Sequence, residues 1–324
     1  MRRFKNILVV CDAQSAFEHT YERVSWLART NGATVTLVDT IKTETSQLAK
    51  LMAALPGRSA SDLQDEVHSV HQANLAGLAA RFEEDGIRVS TDVLTGTPFI
   101  EIIKRVLNAD HDLVIKGAQR SPSGPFFGGL DMHLMRKCPC PVWVLNSAAE
   151  PRSRRMLAAV DPTSEETAAQ GLNQMVIELA TSLARQDGAK LDVINVWELE
   201  GEATLRHSLA KVPQDEIDQL VRAAGEQSAA RLKSLTDRFA EFDDLMRVLH
   251  IKGVAEDVIC EHITAEEIDT VIMGSLARTG VAGLFIGNTA ESILSRVSAS
   301  VLTVKAQGFV SPVQLGNDPA GAAH

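Results

Sequence analysis

Short runs of Val, Ile and Leu recur along the chain, separated by longer stretches in which apolar residues return every three or four positions. In the first half the runs are Ile7–Val10, Gly32-Ala-Thr-Val-Thr-Leu-Val38, Val89–Leu94, Asp112-Leu-Val-Ile-Lys-Gly117 and Pro141-Val-Trp-Val-Leu145. Apolar runs this short suit strands buried on both faces of a sheet. Between the first two, Phe17, Tyr21, Val24 and Leu27 fall at i, i+4, i+7 and i+10. That spacing predicts a helix over 15–30, and Gly32 follows as its stop. Residues 62–84, 164–186 and 213–240 carry similar helical spacing. Strands alternating with helices of this length predict parallel pairing through right-handed crossovers.

The same plan is written twice. Met156-Leu-Ala-Ala-Val-Asp161 echoes Ile7-Leu-Val-Val-Cys-Asp12, and Gly188-Ala-Lys-Leu-Asp-Val-Ile194 echoes the run from Gly32. Gly253 follows Val248–Ile251 as Gly96 follows Val89–Leu94. Asp269-Thr-Val-Ile-Met-Gly274 and Ser300-Val-Leu-Thr-Val304 complete the second set. The offsets are 149, 156, 157, 157 and 159, so the order is collinear and only loops lengthen. This predicts an α/β protein of two tandem doubly wound domains, residues 1–147 and 154–306, followed by a flexible tail over 307–324 that is rich in Gly, Pro and Ala. The polar stretch Ser147–Arg154 marks the boundary.

Composition narrows the function. The hydrophobic share of 45% over 324 residues is enough for two cores. A net charge of −10 opposes a phosphate backbone and argues against general nucleic-acid binding. No apolar run reaches the roughly 20 residues of a membrane span, and Asp12 interrupts the run after Arg2 and Arg3 too early for a secretory signal. The four cysteines, Cys11, Cys138, Cys140 and Cys260, form no disulfide framework, so a cytoplasmic location is expected.

In an open parallel sheet a ligand sits beyond the carboxyl ends of the strands where their order reverses. The best candidate segment is Met273-Gly-Ser-Leu-Ala-Arg-Thr-Gly-Val-Ala-Gly-Leu-Phe-Ile-Gly-Asn-Thr-Ala-Glu291, a strand end, a glycine-rich loop and a helix start. Asn288 or Thr289 is the expected N-cap, with Glu291 in the first turn. Free amides at such a start attract anions, and Arg278 is positioned in sequence to add a charge.

This segment resembles the universal stress protein family, whose nucleotide-binding members carry Gly-x2-Gly-x9-Gly-(Ser/Thr/Asn) after the fourth strand. Gly274, Ala277, Gly287 and Asn288 keep the spacing, with alanine in place of the second glycine. The likeness runs from Phe4 to Lys305, and Arg136-Lys-Cys-Pro-Cys-Pro-Val-Trp-Val144 looks most like the two-domain, E-type members. It implies five-stranded parallel sheets of order 3-2-1-4-5 with helices on both faces. It also implies a stress-response regulator that binds ATP, AMP or ADP in its second domain, with Mg²⁺ as companion of the phosphates, and contacts an unidentified protein partner. Carried over residue by residue, the nucleotide site comprises Ala159, Asp161, Val196, Met273, Gly274, Arg278, Gly287, Asn288 and Thr289. Asp161 would contact the nucleoside, Val196 the adenine, and Gly287, Asn288 and Thr289 the phosphates. The equivalent loop of the first half, from Lys116 to Asp131, places Arg120 and Leu130 at glycine positions and Asp131 at the polar one, so no nucleotide is expected there. Phe126 and Phe127 in that loop read as a cap on the domain, or as the lining for an apolar ligand or partner. A slow ATP hydrolase and a nucleotide-free scaffold are the alternative readings; no base for catalysis stands out, and no catalytic residue is assigned.

Walker, nucleophile-elbow and zincin motifs are absent from the sequence. Cys138 and Cys140 precede the fifth strand while Cys11 ends the first, which argues against a shared zinc site. His68 and His71 read as surface histidines, and Cys260-Glu-His262 as structural without a partner. The fifth strands, 142–145 and 301–304, close each half and are expected to pair with each other as a pseudo-dimer within the chain, with further homodimers open. Limited proteolysis at Arg152–Arg155 tests this pairing. The two halves are expected to stay together after cutting, and halves that separate freely would refute it.

Overall fold

The computed structural model describes residues 4–12, 17–42, 60–118, 127–146, 150–163, 167–207, 212–275 and 287–315. Described residues up to Pro151, together with those after Phe309, form one compact unit; Arg152 to Phe309 form the other.

In the first unit the order is β1 (Asn6–Val10), α1 (Phe17–Asn31), β2 (Thr34–Ile41), α2 (Ala60–Glu84), β3 (Val89–Thr95), α3 (Pro98–Ala109), β4 (Leu113–Gly117), α4 (Gly129–Lys137) and β5 (Val142–Leu145). All pairings are parallel, and the strands lie in the order β3-β2-β1-β4-β5. The second unit repeats this with β6 (Arg155–Ala159), α5 (Thr167–Asp187), β7 (Lys190–Trp197), α6 (Glu202–His207), α7 (Gln214–Thr236), β8 (Met246–Lys252), α8 (Ala255–Ala265), β9 (Thr270–Gly274), α9 (Asn288–Arg296) and β10 (Ser300–Val304). Here the order is β8-β7-β6-β9-β10, again wholly parallel. The architecture is the expected tandem α/β one.

The central strands are buried on both faces, as their unbroken apolar runs require. Ile7, Leu8 and Val9 of β1 and Met156, Leu157 and Ala158 of β6 are wholly inaccessible. Two further helices, α3 and α8, follow β3 and β8. Pro98 opens α3 at its first turn, where the missing N–H costs nothing. The stretch 213–240 divides into α7 and a 3-10 turn, Asp237–Phe242, because Phe239 leaves helical geometry. Gly32 and Gly188 stop α1 and α5 in the left-handed region, at φ 62° and 72°. The residue after each then donates its N–H back to the helix, Ala33 to Ala28 O and Ala189 to Ala184 O, both at 2.9 Å.

A repeated aspartate pins the register of the central pair in each unit. Asp112 accepts the Asn6 N–H at 3.0 Å and, at its other oxygen, the Lys5 N–H at 2.5 Å, holding the start of β1 beside β4. Asp269 does the same for β6, accepting the Arg154 N–H at 2.7 Å and that of Arg155 at 3.3 Å. Within the segment read as a flexible tail, Ser311 is buried and donates its hydroxyl to Lys137 O at the end of α4, at 2.7 Å.

At the amino ends of the second unit's strands lies an ionic cluster that no sequence motif announces. Arg247 forks onto Asp192 at 2.8 and 2.7 Å and reaches Glu266 at 3.1 Å, while Arg155 meets the other Glu266 oxygen. His262, expected to lack a partner, contacts Asp192 at 2.8 Å. Burial pushes the Asp192 carboxyl up, but hydrogen bonds from Arg247 and His262 outweigh it and hold the group below the usual carboxylate range. A depressed folded-state pKa gives stability that is complete above the unfolded value, about 3.9, and is lost as pH falls through the folded one. Asp192→Asn is therefore expected to cost about 1–3 kcal/mol near neutrality. Urea unfolding should show this deficit shrinking between about pH 5 and about pH 3; a pH-independent deficit would refute it.

Candidate functional site

The strand order of the second unit reverses between β6 and β9, and Ala159 sits at the reversal. It is in register with Ile194 on one side and Met273 on the other, so three strand ends meet there. Val160 N–H still bonds Ile194 O at 3.0 Å, and then the chain turns away. Asp161 is held at this turn by a reciprocal pair with α5: its N–H donates to Asn173 Oδ1 at 2.9 Å, and Asn173 Nδ2 donates to its carbonyl at 2.7 Å. The Asp161 carboxylate accepts from the Thr163 N–H at 3.2 Å and from the Thr163 hydroxyl. Arg231 of α7 closes the turn by donating to Thr163 O at 2.7 Å. Asn173, Thr163 and Arg231 had no motif to announce them in the sequence.

Val196 lies two residues beyond the last β7 residue paired to β6. The alternation of a strand gives its direction. Ile194 O faces β6 and Trp197 O accepts the Gly253 N–H from the β8 side, so the N–H and C=O of Val196 face the β6 side beyond the end of that strand. Next to it, Asn195 is fully buried and bridges Val160 O at 3.2 Å and the Ser228 hydroxyl at 3.0 Å. His250 completes the chain, 3.1 Å from Ser228 Oγ and stacked on Trp197 with 5.5 Å between ring centroids. Burial pushes the His250 imidazole down, which favours its neutral form in this network.

Gly274 ends β9 under α5. A Cβ built there would come within 2.6 Å of Leu172 Cδ2 and 2.9 Å of its Cγ. Glycine is thus favoured there by the close approach of Leu172, which would have to shift to admit a Cβ, a reason distinct from phosphate contact. The following Ser275 N–H bonds Val304 O at 3.0 Å. Arg278 and Ala277 lie outside the described residues. The chain returns at Gly287, which is the N-cap of α9, with φ −57° and ψ 146°. This corrects the expected cap at Asn288 or Thr289; both lie inside the first turn and are exposed. Glu291 stands in that turn, as expected, and the N-cap glycine has no side chain with which to cap the helix start. Because β10 begins at the amino edge of the sheet, nine residues of α9 rising about 13 Å carry its N-terminus to the carboxyl edge. The first amides of α9 therefore open on the same edge as Asp161 and Val196.

The first unit fills the corresponding edge with charge. Lys116, wholly buried in β4, puts its ammonium 3.0 Å from Asp131, also wholly buried, and 3.1 Å from Asp12 at the end of β1. It donates further to Gly117 O at 2.8 Å, and Asp131 accepts the Gly128 N–H at 2.8 Å. Burial raises the Asp131 carboxyl above its ordinary value, against the pull of Lys116. The helix start also corrects the loop count. Gly128 is the N-cap of α4 as Gly287 is of α9, so Asp131 corresponds to Ala290 and not to Asn288. The first loop is two residues shorter, with Gly117 and Gly128 eleven positions apart against thirteen for Gly274 and Gly287. Phe127 is buried and Phe126 lies outside the described residues. His71, read as a surface residue, is half-buried and bonds the Asp39 carboxylate at 2.5 Å, because α2 covers β2 there. Cys138 and Cys140 touch each other, 3.6 Å between sulfurs.

Comparison with known proteins agrees with the duplicated fold. The model of the Universal stress protein family matches the chain twice, over residues 3–146 and 152–305. The chain belongs to the universal stress protein family. Its tandem layout is that of the E-type members. Universal stress protein E of Photorhabdus laumondii is 26% identical over 323 residues, covering 98% of this chain and 100% of the relative. The Salmonella typhi protein of the same name is 27% identical, with 98% and 99% covered. Among solved structures, a functionally unknown Pseudomonas aeruginosa protein superposes with a TM-score of 0.71 at 22% identity, with 95% of each chain covered. A universal stress protein from Archaeoglobus fulgidus gives 0.66 at 17% identity, with 94% of this chain and 98% of that one covered. Among the described residues no helix is long and apolar enough to cross a membrane.

The contact between Gly274 and Leu172 is open to test. Gly274→Ala is expected to lower stability by about 1–3 kcal/mol through overpacking. In a Leu172→Val background the loss should shrink, a coupling that a double-mutant cycle in urea would measure. Additive losses would show that the close approach is not what the glycine serves.

Proposed function

We propose that the protein is a nucleotide-binding stress-response regulator, with ATP held at the carboxyl edge of the second unit and ligand occupancy altering its contacts with a protein partner. The observation that carries this reading is the start of α9. An N-cap glycine, which carries no side chain to cap them, and exposed Asn288 and Thr289 present the first amides of a helix on the edge where the strand order reverses. Such amides favour an anionic group by about 0.3–1 kcal/mol at an exposed helix start and up to about 2 kcal/mol in a partly buried one. Met273 and Ala290 add no charge, so nothing in their side chains competes with a phosphate. The backbone of Val196 suits the edge of an adenine, and the Asp161 carboxylate, already steadied by Thr163, suits ribose hydroxyls. Gly287, Asn288 and Thr289 hold the phosphates, and Ala159, Met273 and Gly274 form the floor. Arg278 belongs to the proposal by its place in the loop. AMP and ADP share the nucleoside contacts and are expected to bind by the same edge.

Calorimetry with ATP and Mg²⁺ on the wild type and on Gly287→Asp tests the reading. Aspartate is a favourable N-cap, so the variant should keep its helix while placing a carboxylate where the phosphates go. Saturable heat in the wild type and affinity at least about tenfold weaker in the variant, a loss of about 1.4 kcal/mol, are expected. Absence of heat in both proteins would overturn the proposal in favour of a scaffold without nucleotide.

A further inference from the structure

The two units differ at their carboxyl edges by a matched pair of changes. Where β9 has Met273, β4 has Lys116; where the first turn of α9 has Ala290, that of α4 has Asp131. Asp131 without Lys116 would be a buried charge with no counter-ion, which is strongly destabilising, while Lys116 without Asp131 would keep only Asp12 as counter-ion. Together they meet at 3.0 Å with neither side chain reachable by solvent. The Asp131 carboxylate also accepts the Gly128 N–H at 2.8 Å, at the end of the helix whose dipole favours negative charge. Asp12 steadies the other side of the ammonium, at 3.1 Å.

We propose that the Asp131 carboxylate is a built-in anion that takes, in the first unit, the place a ligand phosphate takes in the second, with Lys116 as its fixed counter-ion. The inference rests on reading the start of α9 as a phosphate site. It makes Lys116 and Asp131 the residues that decide specificity between the units: one responds to nucleotide, and the other is permanently occupied by its own side chain. Burial raises the Asp131 carboxyl above its ordinary value, and the Lys116 ammonium and the Gly128 amide pull the other way, so the carboxylate depends on these two contacts.

The test removes the internal anion and offers an external one. In the full chain carrying Gly287→Asp, so that the second unit is blocked, Asp131→Ala reproduces the residue found at Ala290. Thermal unfolding is followed with inorganic phosphate against sodium chloride at equal ionic strength. Phosphate is expected to raise the Tm of the Asp131→Ala chain saturably and to have no such effect on its parent. Adding Lys116→Met should raise the half-saturating concentration about tenfold or more, the loss of one charge-assisted contact. A folded Asp131→Ala chain indifferent to phosphate, or a response undiminished by Lys116→Met, would overturn the proposal. If Asp131→Ala does not fold in chloride, recovery of cooperative unfolding in phosphate supports it, and failure in both salts refutes it. Because the readout is phosphate on a chain whose second unit is blocked, it stands apart from the ATP heats, whose absence would instead count against nucleotide binding.

Discussion

A parallel sheet that reverses its strand order leaves a crevice where neighbouring crossovers depart to opposite faces, and the polar groups at that crevice must find partners. The strand ends, the turn after the first strand and the first amides of the helix after the fourth all open there. In this protein the constraint arises twice on nearly the same backbone and is answered in two ways. The first unit closes the crevice with Lys116 between Asp12 and Asp131. The second steadies Asp161 through Asn173 and Thr163 and opens α9 with a glycine N-cap that has no side chain.

The rest of each unit holds that crevice in place. Asp112 and Asp269 accept amides at the beginnings of β1 and β6, which sets the register of the two strands that flank the reversal. Apolar strands buried on both faces make the sheet rigid, and α5 lies close enough over β9 that Leu172 would have to move for a side chain to enter at position 274. The ionic cluster of Asp192, Arg247, Glu266 and His262 lies at the far edge. Its titration therefore bears on the stability of the second unit, and its charges stand at the opposite end of the strands from the proposed ligand.

Duplication followed by divergence explains why the two halves share a frame and differ at their edges. The buried strands tolerate little, because each must stay apolar on both faces. The crevice tolerates much, provided its charges cancel or a ligand supplies what is missing. Position 39 shows the same freedom: Asp39 with His71 in the first unit stands where Asn195 with Ser228 stands in the second.

Much of this was legible from residues in order. The period of apolar runs, the collinear repeats and the glycines at 32 and 188 define tandem α/β units, because burial on two faces and positive φ restrict which residues are allowed. The loop spacing at Gly274 and Gly287 pointed to the candidate site, and the collinear repeats agree with the twofold match to the family model over residues 3–146 and 152–305. Lys116 was a visible signal left unread: a lysine inside an apolar strand requires a partner. What order alone did not decide were the partners. Counting through a loop assigned Asp131 to the position of Asn288, whereas the helix start assigns it to that of Ala290, because loop length is free while the first helical turn is not. His71 reads as a surface residue and His262 as one without a partner, yet each meets a carboxylate on a neighbouring element, 32 and 70 residues away. Such pairings depend on which elements pack together, and packing is a property of the folded chain.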